Sequence, residues 1–156
     1  MRLYFMNRTR EIAKLRRVLD LPDPSLVVIY GRRRCGKSTL LQHVAKETDI
    51  YFLADQQESP LQIQGLAVEI GRTIPGFGQL NYPSWEVLLS ALQRQAKRGT
   101  TLIIDEFPYL VQKSPELPSV IQKSIDNQQN ETSIIICGSS QRMMQGLVLD
   151  GSAPLY

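Results

Sequence analysis

Two stretches of the chain carry residue types suited to phosphate chemistry. The first, Gly31-Arg32-Arg33-Arg34-Cys35-Gly36-Lys37-Ser38, fits G-x-x-x-x-G-K-[ST] at every fixed position. Gly31 and Gly36 allow backbone angles that other residues resist, so successive N–H groups can turn inward onto phosphate oxygens. A helix opening behind such a loop adds about half a positive charge at its N-terminus. Lys37 then bridges the β- and γ-phosphates, the Ser38 hydroxyl ligates Mg²⁺, and Thr39 reaches the α-phosphate. Arg32, Arg33 and Arg34 either raise the local potential for a polyanion, with one touching ribose or phosphate, or form a solvated basic rim. Cys35 reads as a small filler whose backbone N–H contributes to the cradle, with a redox brake as the rival.

The second stretch is Leu102-Ile103-Ile104-Asp105-Glu106, an apolar strand ending in two carboxylates. Asp105 suits support of Mg²⁺ through a coordinated water. Glu106 suits the general base, because water is a poor nucleophile and must be positioned and deprotonated. The competing reading is a polar strand end that caps the next helix. A third polar strand end, Gly138-Ser139-Ser140, would face the γ-phosphate if its strand lay between the loop strand and the acidic strand. Ser139 or Ser140 is then a γ-phosphate sensor; the alternative is a helix N-cap at Ser140. Together these features fit an ATPase of the additional-strand kind with ATP and Mg²⁺ as cofactors.

The elements that must hold these residues follow from apolar patterning. Ser25–Tyr30 is a continuous apolar run with β-branched residues, as in a strand buried on both faces of a parallel sheet, and Ile50–Leu53, Thr101–Asp105 and Ser133–Cys137 read as further short strands. Helical stripes lie between them: Arg8 to Leu19 with Asn7 as N-cap, Ser38 to Glu47, Ser59 onward with Ser59 as cap, Trp85 to Lys97 with Ser84 as cap, and Ser119 to Gln129. Pro22 and Pro24 end the first, Pro75-Gly76-Phe77-Gly78 the third, and Gly99 the fourth. Strands alternating with helices predict βαβ units and a parallel sheet.

Bulk composition sets wider limits. The 156 residues suffice for one domain, and 42% hydrophobic with 21% charged is ordinary for a globular protein. A net charge of +3 and pI near 9.0 are too mild to argue for nucleic acid alone. Arg10, Lys14 and Arg17 share a helix face that reads first as solvated. Cys35 and Cys137 are too few for a disulfide framework or zinc site and fit a reduced, cytoplasmic setting. There is no signal-peptide pattern, and no apolar run nears the roughly 20 residues of a membrane span.

The sequence resembles the archaeal-type ATPases of the STAND branch, near the AAA+ ATPases. The resemblance is carried by Phe5-Met6-Asn7-Arg8 with Glu11 and Leu15, Tyr30 through Leu41, Ile104-Asp105-Glu106-Phe107-Pro108-Tyr109-Leu110, Gly138-Ser139-Ser140 with Met144, and Pro154-Leu155-Tyr156. It covers essentially the whole chain. It implies an ATP-driven conformational switch, places Asn7 and Arg8 near the adenine, and expects further parts after Tyr156: an arginine, a fifth strand, a helical lid and a winged-helix region. The chain then reads as part of a longer protein, with any DNA or protein partner engaged through those parts.

The expected architecture is a single α/β P-loop domain over 1–156, a three-layer αβα sandwich whose four strands run in the order 2-3-4-1, with the fifth strand and lid missing. The expected function is Mg-ATP hydrolysis. A nucleotide-binding module with negligible hydrolysis and a P-loop kinase are the alternatives. A GTPase is disfavoured because no N-K-x-D follows the third strand; Arg142, the only arginine after Arg98, gives a kinase little of an arginine-rich lid. Phe77, Tyr82 and Trp85 offer a partner surface, or core, and the spacing of Leu88, Leu89 and Leu92 favours core for Trp85.

Overall fold

Leu26-Val27-Val28-Ile29 and Ile134-Ile135-Ile136-Cys137 are buried on both faces, and their alternation shows why. Leu26, Val28, Ile134 and Ile136 point into one apolar cluster, Val27, Ile29, Ile135 and Cys137 into another on the opposite face. With a side-chain period of two, a strand covered on both sides needs apolar residues throughout. The structure, a computed structural model, describes residues 2–7, 12–20, 23–30, 46–127, 131–139 and Met144.

In chain order the elements are β1 (Arg2–Asn7), α1 (Ile12–Leu19), β2 (Ser25–Tyr30), β3 (Ile50–Leu53), α2 (Ser59–Gly71), a 3-10 turn (Phe77–Gln79), α3 (Trp85–Gln95), β4 (Thr101–Asp105), α4 (Phe107–Lys113), α5 (Leu117–Asp126) and β5 (Ser133–Gly138). All strand pairings are parallel, and the sheet runs β1-β2-β5-β4-β3. The expected order, with β5 between β2 and β4, is therefore found. The larger cluster packs the sheet against α2, α3, α4 and α5; the smaller packs it against Leu15 and Val18 of α1.

Several local expectations change. The cap expected at Asn7 depends on residues 8–11, which lie outside the described residues, but Arg2–Asn7 forms an unforeseen edge strand in register with β2, Asn7 opposite Tyr30. Its partner lies over twenty residues away, which no local pattern reveals. The position before α2 is Glu58, which makes no side-chain cap, and Pro60 takes the first turn. Ser59 instead joins elements: its hydroxyl donates to the Lys113 carbonyl at 3.1 Å and lies 2.7 Å from Ser114 Oγ, which also accepts from Trp85 Nε1 at 2.8 Å. Ser84 does cap α3, accepting from Val87 N at 3.2 Å, but the helix ends at Gln95.

Lys46–Asp49 is a turn, so Glu47 is not helical as expected; the remainder of that expected helix, 38–45, lies outside the described residues. Helix α4 was not expected, and α5 starts and ends earlier than its stripe implied. Gly76, at φ 85°, makes the reversal after α2 that a side chain would oppose. Phe77 and Tyr82 then stack at 4.9 Å, and Tyr82 donates to the Phe77 carbonyl at 2.9 Å. Phe77, Tyr82 and Trp85 are all buried, which removes them as a partner surface.

Candidate functional site

Parallel strands bring their C-terminal ends to one end of the sheet. Tyr30 pairs with Gly138, and Ile136 pairs with Ile104, the residue before Asp105. The ends of β2, β5 and β4 thus stand side by side, with β2 and β4 about 10 Å apart across β5. Gly31 follows Tyr30 directly. The loop Gly31, Arg32, Arg33, Arg34, Cys35, Gly36, Lys37, Ser38 and Thr39 lies outside the described residues, as do Ser140, Arg8 and Arg10. What is described is the strand that leads into the loop and the two strand ends beside it.

Asp105 closes β4 with no exposed surface. A buried carboxylate needs hydrogen-bond donors to offset lost hydration. Its Oδ1 accepts from the Glu106 amide at 2.9 Å, and its Oδ2 from the Tyr51 hydroxyl at 2.6 Å. Its carbonyl accepts from Ala54 N at 2.9 Å, so the edge strand β3 and the chain after it are stitched to this residue.

Glu106 alone separates β4 from α4. It turns the chain at φ 56°, ψ 41°, and among the described residues it is the only non-glycine with positive φ. For an L-residue this conformation costs about 1–2 kcal/mol. Glu106 stands at the N-cap position of α4, yet its side chain makes no capping bond. At this strand end it is Asp105, not Glu106, whose side chain meets a backbone amide at the head of α4.

Gly138 ends β5 where a side chain would overlap the buried thioether of Met144 and come within 3.3 Å of Pro108 Cγ. Its lack of a Cβ lets the start of α4 close over the end of β5. Ser139, half-buried, follows at the same end of the sheet. The structure thus brings Asp105, Glu106 and Ser139 to the end from which Gly31 departs.

Tyr51 is the site residue the sequence did not disclose. Its strand was legible, and Leu53 pairs with Asp105, so Tyr51, two residues earlier, shares that face. That signal existed only once β3 and β4 were known to be neighbours. Arg17, on the basic face of α1, is exposed.

Residues 5–156 match the family described as an ATPase domain predominantly from Archaea. The chain belongs to this ATPase family. It is also 34% identical over 155 residues to the uncharacterized protein MJECL04 of Methanocaldococcus jannaschii, covering 97% of this chain and 33% of that protein. In three dimensions the ATPase domain is similar to the ORC2 protein of Aeropyrum pernix, solved as ADPNP-ADP complexes, with a TM-score of 0.58 and 17% identity over 92% of this chain and 44% of that one. At that identity the likeness concerns the fold. The chain spans about a third of the length of the curated relative and under half of the structural one. Among the described residues no helix is long and apolar enough to cross a membrane.

Proposed function

We propose that this ATPase domain binds ATP with Mg²⁺ on the loop Gly31–Ser38 and hydrolyses it, the cycle serving as a conformational switch of the STAND or AAA+ kind. The observation that carries the reading is the position of β5 between β2 and β4, which sets Ser139 beside the start of the loop and Asp105-Glu106 one strand further on. The nucleotide complexes of the Aeropyrum pernix protein, on the same fold, support nucleotide as the ligand.

The donor set suits the metal. Mg²⁺ is commonly held by one or two carboxylates together with substrate phosphates, and hard oxygen ligands suit it. Asp105 offers one buried, anchored carboxylate, and no cluster of three His, Cys, Asp or Glu occurs among the described residues. When bound, the metal neutralises phosphate charge as the terminal bond is cleaved.

The chain's own groups do the rest. Backbone amides of Gly31–Thr39 and the Lys37 ammonium hold the phosphates, with Arg32, Arg33, Arg34 and the Cys35 amide at the rim. Ser38 and Asp105 hold the metal, Asp105 through water. Glu106 orients the attacking water and takes its proton, and Ser139 donates toward the γ-phosphate.

The test is phosphate release beside nucleotide affinity in the purified chain with Mg-ATP. Lys37→Ala should abolish binding, and unchanged binding would sink the assignment. Glu106→Gln should retain binding and lose release by roughly a hundredfold or more. Binding without release in the wild type would leave a nucleotide-holding module, and phosphate on an acceptor instead of in water would indicate a kinase.

A further inference from the structure

Asp105 sits where two elements can fix its side chain. A carboxylate turns easily about its last bond, because a terminal sp³–sp² torsion is broad. Here one oxygen is held by the backbone amide of Glu106 and the other by a tyrosine from a different strand. With both oxygens engaged, rotation of the group is stopped. The 2.6 Å O–H···O separation lies in the range of charge-assisted bonds to a carboxylate. The Tyr51 ring packs against the smaller core cluster, which includes Val27, Ile29 and Ile103. The position of its hydroxyl is therefore set by packing as well as by hydrogen bonding.

From this geometry we infer that Tyr51 is a positioning residue for the metal-supporting carboxylate: it acts through Asp105 to set how firmly the domain holds Mg²⁺ with nucleotide. The inference rests on the reading of Asp105 given above. Groups that orient metal-supporting ligands typically change metal affinity by roughly 10–100-fold when removed. A hydroxyl that only satisfied a buried carboxylate would change stability and leave the metal dependence alone.

The experiment uses ATP carrying a fluorescent N-methylanthraniloyl group, titrated against the whole chain in EDTA and across a series of free Mg²⁺ concentrations. Tyr51→Phe keeps the ring and removes the hydroxyl. It should weaken the apparent Mg²⁺ affinity roughly tenfold while nucleotide affinity in EDTA stays at the wild-type value. In an Asp105→Asn background the same substitution should add no further shift, because its partner is already changed. Tyr51→Met, which keeps apolar bulk without a hydroxyl, carries the same readout if the phenylalanine variant does not fold. An unshifted Mg²⁺ dependence, or an equal loss with and without Mg²⁺, overturns the positioning role while leaving the assignment of the nucleotide loop untouched. A wild type that binds nucleotide no better with Mg²⁺ than in EDTA overturns both the role of Tyr51 and the assignment of Asp105.

Discussion

Glu106 meets two demands at one backbone position. It turns the chain from β4 into α4 without a linker, and in the proposed reaction its carboxylate prepares the attacking water. A glycine would make the turn with less strain but bring no carboxylate. Strain of this kind persists where surrounding structure enforces it, and it gathers at functional positions. Glu106→Gly should therefore be more stable than Glu106→Ala by about 1 kcal/mol, as measured by urea unfolding, because glycine adopts positive φ without a Cβ penalty. Both variants should lose phosphate release. At this scale the sequence was informative wherever chemistry is local. Gly31 to Ser38 and Asp105-Glu106 are contiguous patterns that can be picked out without knowledge of the fold. Tyr51 was hidden because its role depends on a residue 54 positions away. Nor does sequence show that Gly138 must be small, since Met144 and Pro108 reach it from separate segments.

Strands β2, β4 and β5 could be read from the chain because burial on both faces demands unbroken apolar runs. The short helix α4 and the edge strand β1 could not. Seven residues give a helical period too little length to register, and β1 owes its existence to pairing with β2. The cap at Ser84 was legible since its hydroxyl serves the next turn, whereas Ser59 was misread because its hydroxyl serves another helix. The turn after α2 yields a pH test. Burial raises the Tyr82 hydroxyl above its ordinary value of 10.0. The folded state then holds this proton more tightly than the unfolded chain, so the stabilisation is complete below pH 10.0 and fades as pH rises through the raised value. Tyr82→Phe should cost about 1 kcal/mol at neutral pH through the lost bond to the Phe77 carbonyl. The gap between variant and wild type should narrow in urea unfolding carried out above pH 10.0.

Across the whole molecule, strand order decides the site, and periodicity cannot supply it. The order of the four expected strands, β3-β4-β5-β2 in the present labels, followed from the chemistry of the strand ends and from the family resemblance; the apolar runs alone would have allowed β2 beside β4. Ile135 lies at the centre of this arrangement, paired with both Val27 and Ile103 and wholly buried. Ile135→Ala should lower stability by about 2–5 kcal/mol in urea unfolding, with the emission of buried Trp85 following the same transition.

The central place of β5 also has a consequence for how the chain is made. Among the described residues it comes after the other strands, yet it joins the two halves of the sheet: β1 and β2 on one side, β3 and β4 on the other. During synthesis from the N-terminus, Leu26 to Ile29 and Leu102 to Ile104 emerge with the edges that β5 will cover still bare. Such edges invite pairing with other chains. The nascent protein must keep two apolar half-sheets apart from their surroundings until residues 133–138 arrive. Contacts spanning more than a hundred positions, such as Ser25 N to Ser133 Oγ at 3.0 Å, are then the last to close. The strand that sets Ser139 beside the end of β2 is thus the last of the described strands to be made.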